Sequence, residues 1–325
     1  MEFRADPTGR SHLIDLLPRS RISPLELVRR GRGDVLPTER AALIQALGGY
    51  DLGKMPPVER TEIQQWLIEV HRDRGEPGTH ASVEWLLRQW GESIPQLNAD
   101  RKGAKAENRR WFANPIGMTF SIIEVPPDQT ARFKVSGRFA IAQTETTVAQ
   151  FEKSRIMAVR DSQQSPMPEC PMGNVTQQEM MRFANWLSMT EGIPKEQWCY
   201  ADEQGRLVLK PGFETKLGYR LPTLEEWKYA ATGEAVTDRP FGSGDDLLRA
   251  FMVANRDFRE SVTSPVGRFR PNRFGLFDVL GNVSEFCHRR VDGQWDAVFA
   301  GGSYEAFIDR MNLEVVDLGD TEHKT

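Results

Sequence analysis

Thiolates, imidazoles and carboxylates are the side chains with which a protein holds a soft metal, moves a proton or forms a covalent intermediate. The chain of 325 residues offers three cysteines and five histidines. Cys170, Cys199 and Cys287 are widely spaced and odd in number, which argues against a disulfide framework. Each reads as a small buried hydrophobe. The histidines are His12, His71, His80, His288 and His323. His80 and Glu84 share a helix face, but no histidine stands four residues before His80. His71 and His80 are therefore read as solvated or core-edge residues. Arg220 and Glu226 are, in isolation, an acid/base candidate. Recognition chemistry is offered further on by Tyr304, Glu305, Phe307, Asp309, Arg310 and Asn312. Rings, a guanidinium and adaptable polar groups together have the composition of a protein-binding hot spot. The plainer alternative is that Phe307 and Met311 fill a core while their neighbours face water.

The elements that position these residues fall into two regions. Up to about residue 108 the pattern is helical. Pro37-Thr-Glu-Arg starts a segment with Leu43 and Leu47, stopped by Gly48-Gly49. Pro56-Pro57 starts another, with Ile63, Trp66, Leu67 and Val70 on one face. Gly75-Glu-Pro-Gly78 is a turn, Thr79 is placed to cap the next helix, and Val83, Leu86, Leu87 and Trp90 repeat the spacing before Gly91. The last two segments predict an antiparallel hairpin, and the first makes a HEAT-like stack a weaker option. Asn98 to Arg110 is polar and reads as a linker.

Strands are predicted over Phe120–Val125 and Arg138–Ala142, with a turn-rich gap at Pro126-Pro-Asp. Thr146 or Thr147 caps a short helix carrying Val148 and Phe151, and the stretch from Glu152 to Pro171 reads as a loop. Thr176 with Glu179, and Thr223 with Glu226, have capping-box spacing. Met180, Phe183, Ala184 and Leu187 follow the first box as an apolar face; Trp227, Ala230 and Ala231 follow the second. Asp292-Gly293 is a tight-hairpin signal. Between these helices and that hairpin, Pro271-Asn-Arg-Phe-Gly-Leu-Phe-Asp-Val-Leu-Gly-Asn-Val-Ser-Glu-Phe286 is dense in Gly and Asn with rings among them. That suits irregular backbone pinned by buried aromatics.

The blocks Tyr219-Arg-Leu-Pro-Thr-Leu-Glu-Glu-Trp-Lys-Tyr-Ala-Ala231, Pro265-Val-Gly267, Pro271 to Phe286 and Gly301-Gly-Ser-Tyr304 occur in order. Together they resemble the sulfatase-modifying-factor domain of formylglycine-generating enzymes, from roughly Trp111 onward. The resemblance implies an α+β, C-type-lectin-like fold with much irregular structure, preceded by a small α-helical region: 1–108 helical, 109–325 the enzyme-like domain. It also implies that the family's last strand, ending in Gly-Phe-Arg, is lacking here. The segment from His80 to Gly91 resembles one found in such domains appended to bacterial signalling proteins, serine/threonine kinases among them.

The resemblance further implies where chemistry would sit. Those enzymes oxidise a sulfatase cysteine with copper held by two cysteines just after Gly-Gly-Ser-[Trp/Tyr]. Here Ala306 falls at the first position and Met311 near the second, so copper is not expected. Related proteins of sulfur-containing betaine synthesis hold iron with histidines, and the ligand spacing for such a site is missing. Asp278, Gly281, Val283 and Glu285 resemble the family's calcium site; the rival role for Asp278 and Glu285 is to accept hydrogen bonds from loop amides. The family's second calcium site is doubtful, since Asn255 is followed by Asp257-Phe-Arg-Glu. Within Tyr-Arg-Leu-Pro, Arg220 is expected to be structural.

A net charge of −4 leaves no basic excess for nucleic acid. No apolar run is long enough to span a membrane, and the first residues lack a secretory core. A reducing cytoplasm fits the cysteine usage. The reading is a non-catalytic binding or sensing module that recognises a protein or peptide through the segment after Ser303. The alternatives are a metal-dependent oxidase of the formylglycine-generating type and a diversified ligand-binding protein of the diversity-generating-retroelement type.

Overall fold

Proline opens most of the early helices because its missing N–H falls where a helix has no acceptor for one. The computed structural model describes residues 6–73, 75–95, 109–135, 137–237, 239–252, 262–303 and 316–317. Its first layer is α1 (Thr8–Leu16), α2 (Pro24–Arg32), α3 (Pro37–Leu47), α4 (Pro57–Asp73) and α5 (Pro77–Gln89). The predicted faces are the ones buried: Ile63, Trp66, Leu67 and Val70 of α4 meet Val83, Leu86 and Leu87 of α5 and Leu43 and Leu47 of α3 in one core, with Trp90 packed at its margin. Thr79 does not cap α5. The helix starts two residues earlier at Pro77, and the Thr79 hydroxyl donates to the Pro37 carbonyl at 3.2 Å. The linker prediction over residues 98–110 lies almost wholly outside the described residues.

The second layer begins with an antiparallel sheet in the order β1 (Trp111–Ala113), β2 (Thr119–Val125), β3 (Gly137–Ala142). The gap at Pro126-Pro127 is helical rather than a turn: Pro127 takes the first position of α6 (Pro127–Phe133). Capping boxes form as the spacing predicts at Thr176 for α8 (Gln177–Thr190) and Thr223 for α9 (Leu224–Thr232), and of the two candidate caps Thr147 caps α7 (Val148–Glu152), with Gln150 completing a box. A hairpin of β4 (Tyr200–Glu203) and β5 (Arg206–Leu209) packs beside α8, and the short α10 (Leu248–Phe251) follows α9. The last sheet is β6 (Glu285–Val291), β7 (Gln294–Ala300) and β8 (Val316–Asp317), antiparallel throughout. Asp292 and Gly293 turn the first pair with φ of 49° and 85°, the positive values that a two-residue turn matching strand twist requires.

Residues 262–284 form no helix or strand element, and both layers rest on them. The buried Asn272 side chain donates to the carbonyls of Ala230 and Ala231 at 2.8 and 3.0 Å, and accepts from the amides of Phe274 and Leu276. It thus ties the irregular block to the C-terminal end of α9. From the helical layer, Gln45 donates to the Pro271 carbonyl, Gln89 to the Arg268 carbonyl, and Asp15 pairs with Arg270 at 2.7 Å. Phe277 completes the helical core.

The closest approach is at Gly78 in α5, where a methyl would stand 2.2 Å from the Arg273 carbonyl oxygen. Glycine to alanine inside a helix ordinarily stabilises by about 0.5–1 kcal/mol. Here the sign should reverse, because the atom in the way is backbone. Gly78→Ala is expected to lose about 1–3 kcal/mol, read from the urea midpoint of the whole chain. A raised midpoint would mean that the helical layer is not seated on this block.

Candidate functional site

Arg220 and Glu226 come together as the Tyr-Arg-Leu-Pro-Thr turn delivers α9. The guanidinium makes two parallel bonds to the carboxylate, both 2.7 Å, and the Thr223 amide donates to the same carboxylate at 2.9 Å. Burial by itself would raise the Glu226 pKa; the bonds from Arg220 overcome it and hold the group below its usual range. Both its oxygens are committed to the turn, so the pair is structural.

Beside it opens a cleft of about 520 Å³. Phe112, Phe120 and Phe139 of the first sheet, Tyr219 and the exposed Leu217 give it apolar walls, while Glu145 and Glu285 add carboxylates and Val283 lines it beside them. Val283 and Glu285, singled out from sequence, therefore line the cleft. Asp278 and Gly281 do not; they stand behind it. Asp278 Oδ2 accepts the Gly267 amide at 2.7 Å, and the Gly281 amide donates to the Gly301 carbonyl at 2.9 Å. Asn282 is held by two bonds to the backbone of Ser264. The loop-amide role of Asp278 is thus present.

Glu145 is the residue that sequence reasoning missed. It is buried beside the Asn282 amide, which favours its charged form, yet neither of its oxygens makes a hydrogen bond of good geometry; Asp278 Oδ1 likewise makes none. Burial, then the charges of Asp278 and Glu285, push the Glu145 pKa well above its ordinary value. Burial raises Asp278 to about 6 and Glu285 to about 7. The only available signal was its place in Thr144-Glu-Thr-Thr147, which read simply as a helix start. Three carboxylates that oppose one another's ionisation, beside the loop carrying Gly281 and Val283, make a donor set of oxygens alone, the preference of a hard cation.

The cysteines are buried one by one. Cys170 faces the Thr263 carbonyl, Cys199 the Gly218 carbonyl, and Cys287 lies in the core on β6, where burial pushes its thiol well up. His288 is buried with Nε2 3.0 Å from the Tyr200 hydroxyl, and His12 pairs with Asp246 at the surface. Tyr304, Glu305, Phe307, Asp309, Arg310 and Asn312 lie outside the described residues, as do Asn255 and His323.

His71 and His80 are neither solvated nor at the core edge: both are fully buried. The turn between α4 and α5 brings them to one side, where their rings stack with centroids 4.3 Å apart and Glu84 joins them. Spacing within a single helix could not reveal a pair built across a turn. His71 Nε2 lies 3.4 Å and His80 Nε2 3.8 Å from Glu84 Oε1. Burial pushes His80 down to about 3, so its imidazole is neutral with a free lone pair.

Residues 117–316, more than half of the chain, match the profile of the family described as Sulfatase-modifying factor enzyme 1-like domain. The chain belongs to that family. A formylglycine-generating enzyme of Mycobacterium tuberculosis is 30% identical over a stretch covering 33% of this chain and 46% of that protein. The serine/threonine-protein kinase pkn1 of Chlamydia caviae is 36% identical over 26% of this chain and 15% of that protein. The chain therefore spans less than half the length of these curated relatives. Among solved structures, Treponema denticola variable protein 1 aligns over 64% of this chain and 91% of its own, with 20% identity and a TM-score of 0.46.

The carboxylates carry a pH signature. With divalent ions chelated, folded-state pKa values above the unfolded ones mean that the folded state binds more protons. Their stabilisation is then complete below the unfolded values near ~4 and is lost as pH rises through the folded values. Removing one charge should relieve this. In chelator, the parent is expected to lose stability between pH 5 and pH 8, and Glu145→Gln to lose markedly less. Parallel urea midpoints for the two proteins across that range would place Glu145 away from the other carboxylates.

Proposed function

We propose that this member of the family is a binding module that holds a protein or peptide partner on the face where the cleft opens. The observation that carries the reading is positional. In the β6–β7 register Glu285, which lines the cleft, pairs with Ala300, the last residue of β7. β7 thus ends opposite a residue of the cleft, and Tyr304–Asn312, the stretch with hot-spot composition, follows shortly after it in sequence. Apolar walls interspersed with charged groups such as Arg138, Glu191 and Lys216 suit an inserted side chain with a polar end. Ala306, at the position of the first copper-binding cysteine, together with three singly buried cysteines, supports a role in recognition rather than cysteine oxidation.

The test uses two independent surface changes. Leu217 is 72% exposed on the cleft wall, so Leu217→Asp can be made without touching a core. Tyr304→Ala combined with Arg310→Ala addresses the segment. With a partner captured from native lysate, each variant is expected to bind at least about tenfold more weakly, a loss of about 1.4 kcal/mol. Full retention of affinity by both folded variants would move recognition elsewhere on the surface.

The same reading gives the loop behind the cleft a calcium ion. Asp278, Gly281, Val283 and Glu285 would supply oxygens, with Glu145 as a further carboxylate beside them. An ion that binds only the folded state must raise stability by mass action. Melting of the parent is expected to shift upward with calcium relative to chelator, and the shift should vanish in Glu285→Ala. No shift in the parent would leave these residues their amide-binding role alone.

A further inference from the structure

We propose that His71, His80 and Glu84 form a binding site for one first-row divalent transition-metal ion, at the seam where the α4–α5 hairpin meets β1. Their ligand atoms all lie within 4.8 Å of one another. Donors held about 2.0–2.1 Å from a tetrahedral ion sit roughly 3.3 Å apart. Glu84 Oε1 is already 3.4 Å from His71 Nε2, and its 3.8 Å to His80 Nε2 closes with a small turn of the ring.

The second observation is His80 itself. It has no exposure to solvent, and neither of its ring nitrogens has a hydrogen-bond partner. A buried polar group left this way costs about 1–3 kcal/mol, and such groups are rare in folded proteins. A metal bond from one nitrogen removes that nitrogen's part of the cost. The surroundings orient the donors as outer-shell groups do. Arg88 donates to Glu84 Oε2 at 3.0 Å, which leaves Oε1 turned to the imidazoles. Trp111 of β1 stacks on His80 with centroids 3.7 Å apart and closes the site from the other layer. Two imidazole nitrogens with one carboxylate oxygen suit zinc, iron(II) or cobalt(II) and do not suit calcium or magnesium. The ion would fasten α4 to α5 and hold the seat of Trp111.

The whole chain, stripped of metal by chelation and dialysis, is titrated with zinc and separately with cobalt(II). The expected result is one ion per chain with Kd below about 1 μM, a raised melting temperature with zinc, and cobalt bands unchanged by excess calcium. Glu84→Gln and His80→Gln should each weaken binding by at least about tenfold. Should a variant fail to fold, the cobalt form of the parent decides: paramagnetically shifted imidazole resonances are expected from two histidines. Absence of zinc and cobalt from the folded parent, or equal affinity in a folded His80→Gln variant, would overturn the site.

Discussion

Irregular backbone placed in the middle of a protein must have its amides and carbonyls met by something other than a helix or strand ladder. Residues 262–284 pose that problem, and three side chains of the block itself answer much of it. Asn272 serves four backbone groups, Asn282 two, and Asp278 the amide of Gly267. Asp278 and Asn282 adopt positive φ themselves, at 50° and 59°, values that short polar residues tolerate better than most. The helical layer, the end of α9 and the start of β6 are all placed by how this block is satisfied.

The block also brings two charged environments within reach of one another. Arg88 bonds Glu84 beneath the histidines, and its guanidinium lies over the Phe277 ring, 5.5 Å from the centroid. It sits so close to Gly267 that a methyl there would be 2.7 Å from Nη1, and its charge lowers the pKa of Asp278 against the effect of burial. One cation therefore stands between the imidazole–carboxylate cluster in the helical layer and the carboxylates behind the cleft. Its charge lowers the pKa of Glu84 as well as that of Asp278.

Local patterns in the sequence are legible where the physics is local. Capping boxes at Thr176 and Thr223, the face Ile63–Trp66–Leu67–Val70 and the Asp292-Gly293 turn each involve residues a few positions apart, and all formed. The β4–β5 hairpin went unseen because Ala201, Asp202 and Glu203 give it no apolar alternation; its pairing is held by packing near α8. The site was legible in part. The four-block pattern led to Val283 and Glu285, but Glu145 reaches them across more than a hundred residues of chain. His71 and His80 were misjudged because their proximity depends on where α4 stops and how α5 returns, which composition does not encode.

The return of the chain at β8 has a bearing on how this surface could be altered. Val316 and Asp317 pair with Phe299 and Val298, so the residues after Ala300 are bracketed by adjacent strands of one sheet. The entropy of closing a connection grows only as the logarithm of its length. Insertion, deletion or wholesale exchange of that stretch thus asks little of the strands that flank it. Evolution or a protein engineer can rewrite that stretch while the sheet, the Gly/Asn block and the helical layer keep their registration.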